Sequence, residues 1–370
     1  MKVIQILPEL NSGGVERGTL EIAAALVAEG HESLVISNGG RQVEALEQAG
    51  SRHISMPVHR KSLSTLGQVK PMRELLESEK PDIVHIRSRA PAWVSWLAWR
   101  KMDPATRPHL VSTVHGFYST NFYSAVMTRG ERVIAVSESI RTYIHKHYPK
   151  TDPEIIRVIH RGVEPPATES IKPDAAWLAD WHREQPQLEG KEVLLLPGRL
   201  TRWKGQEDFI RLVGRLKEQG RAVHGLLAGE AHPRKLEFME ELRALCTSLD
   251  LENDVTFLGH RADVREIMKV SDIVLSLSTD PEAFGRVSLE AMAMGRPVVA
   301  YDHGGVAEQL ASMYPRGCVP VSDHTKLEDT VIGILEHPDS PAPVAPEFTL
   351  ETMCRSTLEV YRELLPATSS

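Results

Sequence analysis

Apolar residues in this 370-residue chain fall into short β-branched runs that alternate with stretches repeating at helical spacing. After Gly14, apolar positions such as Val15, Ile22 and Leu26 recur at helical spacing and predict a helix that stops at Gly30. Strands that alternate with helices are typical of parallel pairing in a doubly wound α/β sheet. The runs that predict strands in the first half cover residues 3–7, 34–37, 83–86, 110–114 and 133–136.

The alternation stops at residues 165–190, which are rich in Pro, Asp, Glu and Trp, and then begins again. Because the chain is longer than one hydrophobic core usually serves, we interpret this segment as a linker between two domains. We predict an N-terminal domain over 1–168, a second over 169–348, and a C-terminal helix and tail over 349–370. The predicted strands of the second domain are 193–196, 222–228, 255–258, 273–277 and 297–300, and its helices include 208–219 and 236–249.

The composition excludes some classes of protein but does not identify the function. Hydrophobic residues make up 41% and charged residues 25%, a soluble globular balance, and the net charge of −7 argues against a nucleic-acid-binding protein. The charge is unevenly distributed, since residues 1–165 hold 21 basic and 17 acidic residues and the remainder 22 and 33. These net charges of +4 and −11 support two domains and suggest that only one of them meets something anionic.

The sequence also indicates the cellular compartment of the protein. The three cysteines, Cys246, Cys318 and Cys354, lack metal-ligand spacing and suggest a reducing compartment. The first apolar stretch ends at Pro8, too early for a signal peptide, and no run approaches the ~20 apolar residues of a membrane span. We therefore expect a cytoplasmic protein, or one that lies on a membrane without crossing it.

The strongest chemical signal is the stretch from Ser278 to Glu290, which follows a predicted strand. A helix that starts near Gly285 would leave the N–H groups of residues 284–287 unpaired and favourable to an anion such as phosphate. Glu290, inside that helix, could accept hydrogen bonds from a ribose diol, and Glu282, before it, from sugar hydroxyls. The structural alternative is an ordinary helix cap followed by a surface glutamate, which the surrounding glycine pattern disfavours.

A second signal is the loop from Gly198 to Gly205, directly after a predicted strand. Arg199 offers a guanidinium fork and Lys204 a compact ammonium, a pair suited to a diphosphate. Basic residues after a strand are more often solvated surface. The two glycines and the anion cradle of the other segment favour a function here.

Further candidates lie in the first half. The Gly13–Gly14 loop lets a ligand approach the backbone, although it matches neither common phosphate-loop pattern and an ordinary tight turn is the competing interpretation. His115 follows a predicted strand, where a ligand role and a structural role are equally favoured. His160 and Arg161 have the same placement and the same ambiguity.

Together these motifs resemble glycosyltransferase family 4, retaining enzymes with the GT-B fold of two facing Rossmann-like domains. The Glu282 to Glu290 spacing is similar to the family's E-x7-E signature. The resemblance implies catalytic-site roles for His115, Arg199, Lys204 and Glu282, with His115 beside the transferred sugar. It also implies donor-binding roles for Gly13, Gly14, Arg199, Lys204, Glu282, Ala283, Phe284, Gly285, Arg286, Val287 and Glu290.

The chain departs from the usual family pattern at several positions. Ala283 stands where the family often has Gly, and Val287 where it often has Leu. Arg161 and Glu164 replace the Asn and Asp of an Asn-Gly-Val-Asp motif. These changes leave the diphosphate cradle intact. They affect which donor sugar the site accepts, which the resemblance therefore does not identify.

The resemblance implies transfer of a hexosyl unit from a UDP-, GDP- or ADP-linked sugar to a hydroxyl, with retained anomeric configuration and no cofactor. No D-x-D triplet occurs, so we expect a metal-independent reaction. The partners would be the sugar nucleotide and a glycan or lipid-linked acceptor, with no nucleic acid. Two alternatives stay open: a sugar-nucleotide epimerase or phosphorylase of similar fold, and a non-catalytic sugar-nucleotide-binding protein.

We expect the acceptor in the basic half. Trp93, Trp96 and Trp99 lie in a stretch edged by Arg and Lys, which suits an anionic membrane interface, and basic residues at 59–61 and 141–150 could extend it. For each of these segments the alternative is a solvated helix face or, for the tryptophans, burial in the core. As a set they favour peripheral binding at the cytoplasmic face of a bacterial inner membrane, in lipopolysaccharide or surface-glycan assembly.

Overall fold

The computed structural model describes residues 1–11, 13–60, 63–167, 171–231 and 237–366. The chain forms two compact units: unit 1 is Met1–Gly162 with the segment that begins at Leu350, and unit 2 is Val163–Thr349. Unit 2 begins before the boundary expected at 168, because Val163 already forms a parallel bridge with Thr349. Thr168 and Glu169, where we placed the boundary, lie outside the described residues.

Unit 1 is built on a seven-stranded parallel sheet in the order β3-β2-β1-β4-β5-β6-β7. The strand order reverses between β1 and β4, so the chain leaves the carboxyl ends of these two neighbours in opposite directions. The five strands predicted here are confirmed within about two residues, and β7 lies within the apolar run 155–159 that precedes His160, whereas β3 was not predicted. The strands are β1 (Lys2–Ile6), β2 (Glu32–Ser37), β3 (Arg52–Ser55), β4 (Ile83–Ile86), β5 (His109–Val114), β6 (Arg132–Ala135) and β7 (Ile156–Val158).

Helices cover this sheet and supply its core. Ile22 and Leu26 of the first helix pack with Val3, Ile83 and Val111 of the strands. This helix begins at Gly14, as predicted, and its apolar stripe explains its position. The helices are α1 (Gly14–Ala28), α2 (Val43–Gln48), α3 (Val69–Glu79), α4 (Arg89–Trp99) and α5 (Glu138–His147).

The last helix of the chain, α13 (Leu350–Arg362), belongs to unit 1. Met353 and Leu358 join the core cluster that contains Ile22. The Tyr361 hydroxyl lies 2.7 Å from Nδ1 of the buried His85 in β4. The C-terminal helix therefore returns to the first domain, as the family resemblance implies.

Unit 2 contains a six-stranded parallel sheet in the order β10-β9-β8-β11-β12-β13. All five predicted strands are present; the two-residue β13 was not predicted. The order reverses between β8 and β11, and ligands bind at such switch points in open α/β sheets. The strands are β8 (Glu192–Pro197), β9 (Val223–Ala228), β10 (Val255–Gly259), β11 (Ile273–Ser276), β12 (Val298–Tyr301) and β13 (Cys318–Val319).

Most helices of unit 2 lie between consecutive strands, but its first helix precedes β8 and its last follows β13. The first of them falls inside the segment interpreted as a linker, and the predicted start of α8 at Leu236 lies outside the described residues. They are α6 (Ala175–Glu184), α7 (Gln206–Glu218), α8 (Glu237–Ser248), α9 (Val264–Lys269), α10 (Arg286–Ala293), α11 (Gly304–Met313) and α12 (His324–Glu336).

Candidate functional site

The loop after β8 is pressed against the end of β11. Gly205 has φ 74°, and a Cβ there would lie 2.0 Å from the Leu277 carbonyl oxygen, so only glycine fits. The Thr279 N–H donates to the Trp203 carbonyl at 2.7 Å. Since β8 and β11 flank the switch point, these contacts bring both predicted motifs of unit 2 to the place where its sheet favours a ligand.

Glycines also fix the segment that carries the two glutamates. Gly285 has φ 82° and precedes α10, where a Cβ would lie 2.2 Å from Val306. A Cβ on Gly304 would lie 2.4 Å from the Glu282 carbonyl oxygen. The Gly305 N–H donates to that same oxygen at 2.8 Å. Close backbone packing against the start of α11 therefore sets the position of Glu282.

Lys204 and Glu282 form an ion pair across the two loops, with Nζ 2.7 Å from Oε1. The Ser278 hydroxyl donates to the same carboxylate oxygen at 2.6 Å, and the Ser276 hydroxyl at 3.4 Å. Burial alone would raise the pKa of Glu282, but the Lys204 ammonium and these hydrogen bonds outweigh it and lower the pKa below its usual value. Glu282 is therefore an ionised hydrogen-bond acceptor at neutral pH.

Sequence reasoning missed the two serines that orient Glu282. Their signal was available, because Ser276 ends a buried strand and Ser278 lies two residues later, at the sheet edge that faces a ligand. His303 adds a further constraint, with its Nε2 2.6 Å from the Ser278 carbonyl oxygen. The carboxylate is held by its surroundings and is not a mobile surface group.

The two segments that carry this ion pair hold further groups that favour an anion, namely Arg199 and the start of α10. Arg199 is exposed, and among the residues that the structure describes no side chain pairs with its guanidinium. By contrast, Arg202 in the same loop donates to both oxygens of Glu241, at 2.6 and 2.7 Å. The start of α10 carries no side-chain cap from Gly285. A free guanidinium and an uncapped helix N-terminus both attract an anion.

The other predicted donor-binding residues line the same segment. Phe284 is buried and its ring centroid lies 6.0 Å from that of Phe348, so only its backbone can face a ligand. Glu290 lies within α10 with a side chain 12% exposed, and its Oε1 is 3.8 Å from Nη2 of Arg265. It is not a solvated surface glutamate. Ala283, Arg286 and Val287 are half-buried.

Unit 1 brings two of the ambiguous residues into contact. Arg161 Nη2 lies 2.6 Å from Nδ1 of His115, which follows β5. Burial and the positive charges of Arg161 and Arg87 hold the pKa of His115 well below its usual value. Arg87, which directly follows β4, is buried and donates to Gln5 Oε1 at 2.7 Å. Its position at the switch point was a signal that sequence reasoning did not use.

The glycine loop of unit 1 precedes α1. Gly13 is the N-cap residue of this helix and Gly14 its first residue. Ser12, in the same loop, lies outside the described residues. The ligand roles of Gly13 and Gly14 stay predictions.

Aromatic rings and arginines of α4 and the following loops form what we call the aromatic–arginine patch: Trp93, Trp96, Arg100, Phe122 and Arg129. Phe122 is 70% exposed and its ring centroid lies 5.0 Å from that of Trp93. The Arg129 guanidinium lies 4.3 Å from the Trp96 ring centroid, and that of Arg100 lies 4.7 Å from it.

The third tryptophan expected at this surface is part of the core. Trp99 is 9% exposed, its indole N–H donates to the Pro108 carbonyl at 2.6 Å, and the Arg107 guanidinium covers its ring at 3.5 Å. The expectation of three interfacial tryptophans is therefore wrong for Trp99. Of the basic residues expected nearby, Lys61 lies outside the described residues.

No group of three or more His, Cys, Asp or Glu side chains in the described ranges is arranged to hold a metal ion. Within the same parts of the chain, no helix has both the length and the apolar character needed to cross a membrane.

Similarity to known proteins agrees with the geometry. The profile of Glycosyltransferase Family 4 matches residues 12–165, and that of Glycosyl transferases group 1 matches residues 179–346. The chain is 28% identical over 276 residues to N-acetyl-alpha-D-glucosaminyl L-malate synthase of Bacillus anthracis, covering 72% of this chain and 68% of that one.

Solved structures match both units. A glycosyltransferase from Rickettsia africae superposes with a TM-score of 0.83 and 29% identity, covering 99% of each chain. Anabaena HepE, crystallised with UDP and glucose, gives a TM-score of 0.81 at 24% identity, covering 98% of this chain and 99% of that one. With two doubly wound parallel sheets and both family profiles, the chain belongs to glycosyltransferase family 4 and has the GT-B fold.

Proposed function

We propose that this glycosyltransferase moves a hexosyl unit from a nucleoside diphosphate sugar to a hydroxyl of a glycan or lipid-linked acceptor, with the anomeric configuration retained. The observation that carries the proposal is the Lys204–Glu282 contact at the switch point of unit 2. In this contact an ammonium meets an ionised carboxylate, between the loop that carries the exposed Arg199 and the segment that leads into α10. This set offers cations for a diphosphate and an acceptor for sugar hydroxyls.

Arg199 and Lys204 would stabilise the charge that develops on the departing diphosphate. Lys204 has three N–H donors and uses one on Glu282, so donors remain for phosphate oxygens. The amides at the start of α10 add fixed dipoles. Such preorganised groups supply the leaving-group stabilisation that other transferases take from a metal, and metal independence is part of the proposal.

The carboxylates have separate tasks in this scheme. Glu290, buried in α10, would accept from the ribose hydroxyls. Glu282 would accept from hydroxyls of the transferred sugar, because the Lys204 contact keeps it ionised. The resemblance to the family favours a front-face displacement assisted by the leaving phosphate, and no residue is assigned as an enzyme nucleophile. The test below identifies the nucleotide of the donor as UDP, GDP or ADP. UDP is the nucleotide in the HepE crystals.

We place the acceptor and a peripheral contact with an anionic bacterial inner membrane on unit 1. The aromatic–arginine patch supports this proposal, because the exposed Phe122 ring and two half-buried tryptophans edged by arginines suit a headgroup interface. Assembly of lipopolysaccharide or another surface glycan is the corresponding role.

The deciding experiment compares Arg199→Ala with Arg202→Ala, two arginines of one loop that differ in their partners. We expect one nucleoside diphosphate to raise the thermal transition of the wild-type protein, and its sugar conjugate to be slowly hydrolysed. Arg199→Ala should lower turnover about 100-fold, as loss of a transition-state hydrogen-bond donor does. Arg202→Ala should retain turnover, and activity should persist in EDTA.

Near-normal turnover in folded Arg199→Ala protein would contradict the assignment, as would a wild-type protein that no nucleoside diphosphate stabilises. With an active pair of substrates, the anomeric configuration of the product, read by NMR, tests retention. An inverted product would overturn that part of the proposal alone.

A further inference from the structure

The contact between Arg161 and His115 defines a protonation state. Arg161 Nη2 lies 2.6 Å from Nδ1 of the imidazole and 3.5 Å from Nε2, so Nδ1 is the ring nitrogen at ordinary hydrogen-bond distance. A guanidinium stays protonated in proteins and has only N–H donors, so Nδ1 must accept and carries no proton. A neutral imidazole then bears its single proton on Nε2. The chain therefore presents His115 as the Nε2–H tautomer.

The surroundings of Arg161 keep its guanidinium in place. Its side chain is buried, 6% exposed, and Nη1 lies 3.8 Å from the Met353 sulfur. A Cβ on Gly18 of α1 would lie 3.4 Å from Nη1, which is van der Waals contact, so α1 packs directly against the guanidinium. These contacts hold the guanidinium beside His115.

The groups that face His115 come from four places in unit 1. They are Arg161 after β7, Arg87 after β4, His85 within β4, and the Tyr118 hydroxyl, which accepts from the His115 backbone N–H at 3.1 Å. Burial and the positive charges among these groups disfavour protonation of the ring. The electrostatics and the hydrogen bond thus favour the same neutral state.

We propose that Arg161 is a positioning residue that fixes His115 as the neutral Nε2–H tautomer, so that His115 meets its substrate as a hydrogen-bond donor and not as a general base. The first half of this proposal concerns the protein alone. The second half rests on the proposed function, since it needs a substrate oxygen opposite Nε2.

The first half is tested by ¹⁵N NMR of the histidine side chains from pH 5 to 8, with the His115 signals identified by their loss in His115→Gln. We expect a protonated Nε2 and a bare Nδ1 throughout this range in the wild-type protein. In Arg161→Met, burial and Arg87 still keep the ring neutral, so the two tautomers should mix and the separate signals of protonated Nε2 and bare Nδ1 should converge. In Arg161→Lys, which keeps a donor, the wild-type pattern should return. Arg157→Met, which removes an exposed arginine paired with Glu363, is the matched control and should leave the spectrum unchanged.

A protonated Nδ1 in the wild-type protein would overturn the inference, and so would an Arg161→Met spectrum equal to the wild type. Should Arg161→Met fail to fold, the wild-type and Arg161→Lys spectra still decide. These spectra need no substrate, so their outcome is separate from that of the proposed function.

Kinetics test the second half. Glutamine can place an N–H donor near the position of Nε2 but cannot act as a base, so His115→Gln should keep kcat/KM within about 10-fold of the wild type, while His115→Ala should lose about 100-fold. Equal losses in the two variants would refute the donor role. Absence of any transfer by the wild-type protein would instead refute the proposed function. The tautomer of His115 would then be decided by the NMR spectra alone.

Discussion

The Lys204–Glu282 pair joins residues 78 positions apart, and each member is less than one fifth exposed. The sequence predicted a diphosphate contact for Lys204 and contacts with sugar hydroxyls for Glu282, because each lies in a loop that follows a strand of one parallel sheet. It could not indicate their contact, which depends on which strands flank the switch point. Nor could it show that Ser276 and Ser278 add hydrogen bonds to the carboxylate.

This pair makes stability depend on pH in a defined direction. The lowered pKa of Glu282 means that its stabilising contribution is present above the unfolded-state pKa and is lost as pH falls through the folded-state pKa. In Lys204→Met, burial acts without the ammonium and raises the pKa of Glu282, so the sign reverses. We expect urea unfolding to show a deficit of about 2–3 kcal/mol at pH 7 that shrinks toward pH 4.

The matched control for this prediction is the double variant Lys204→Met, Glu282→Gln. Without a carboxylate to leave unpaired, it should regain much of the lost stability and show little of the pH dependence. A deficit in Lys204→Met that stays constant between pH 4 and 7 would show that the loss comes from packing and not from charge.

At the scale of elements, the apolar pattern identified the buried strands and the limits of the long helices, because burial on both faces demands continuous apolar runs. It failed at two of the four edge strands. β3 has the sequence Arg-His-Ile-Ser and is half-exposed, so it carries no such run. β13 has two residues, too few for any pattern. Their partners in the sheet define them as strands, and this information is not local.

The contacts of helix α13 predict how much the C-terminal segment stabilises unit 1. Its Tyr361 hydroxyl contacts Nδ1 of His85, whose Nε2 lies 2.6 Å from the Thr113 hydroxyl, and all three groups are buried. Tyr361→Phe leaves one buried ring nitrogen without this partner. We expect a loss of about 1–3 kcal/mol in the free energy of unfolding of unit 1.

Chemical denaturation, with hydrogen exchange of β4 amides as a local probe, measures this loss. Tyr143→Phe is the comparison, since its hydroxyl bonds the Tyr118 carbonyl and not the core of α13. Faster exchange in β4 should appear in Tyr361→Phe only. Nucleotide binding by unit 2 should persist in both variants, and equal exchange rates in β4 would contradict the anchoring role.

For the whole molecule, a net charge of −7 conceals a basic N-terminal half and an acidic remainder. The structure refines where the cations of the basic half lie. Arg87 is buried beside His115, whereas Arg100 and Lys101 are exposed at the end of α4. Phe122, the most exposed large apolar side chain described, lay outside the predicted membrane stretch, because a single phenylalanine in a polar loop carries no pattern.

These exposed groups predict how the full chain binds vesicles. We expect the wild-type protein to float with vesicles that contain phosphatidylglycerol and less with neutral phosphatidylcholine, with binding weakened by salt. Arg100→Gln and Lys101→Gln should each lower the partition coefficient about fivefold, since one basic residue near an anionic surface contributes ~1 kcal/mol. Phe122→Ser should lower it through lost burial of the ring. Val321→Ser, which removes an exposed apolar side chain of unit 2, should have no effect. Partition equal for all variants would place the membrane contact elsewhere, because neither the charge nor the aromatic part of the patch would then contribute.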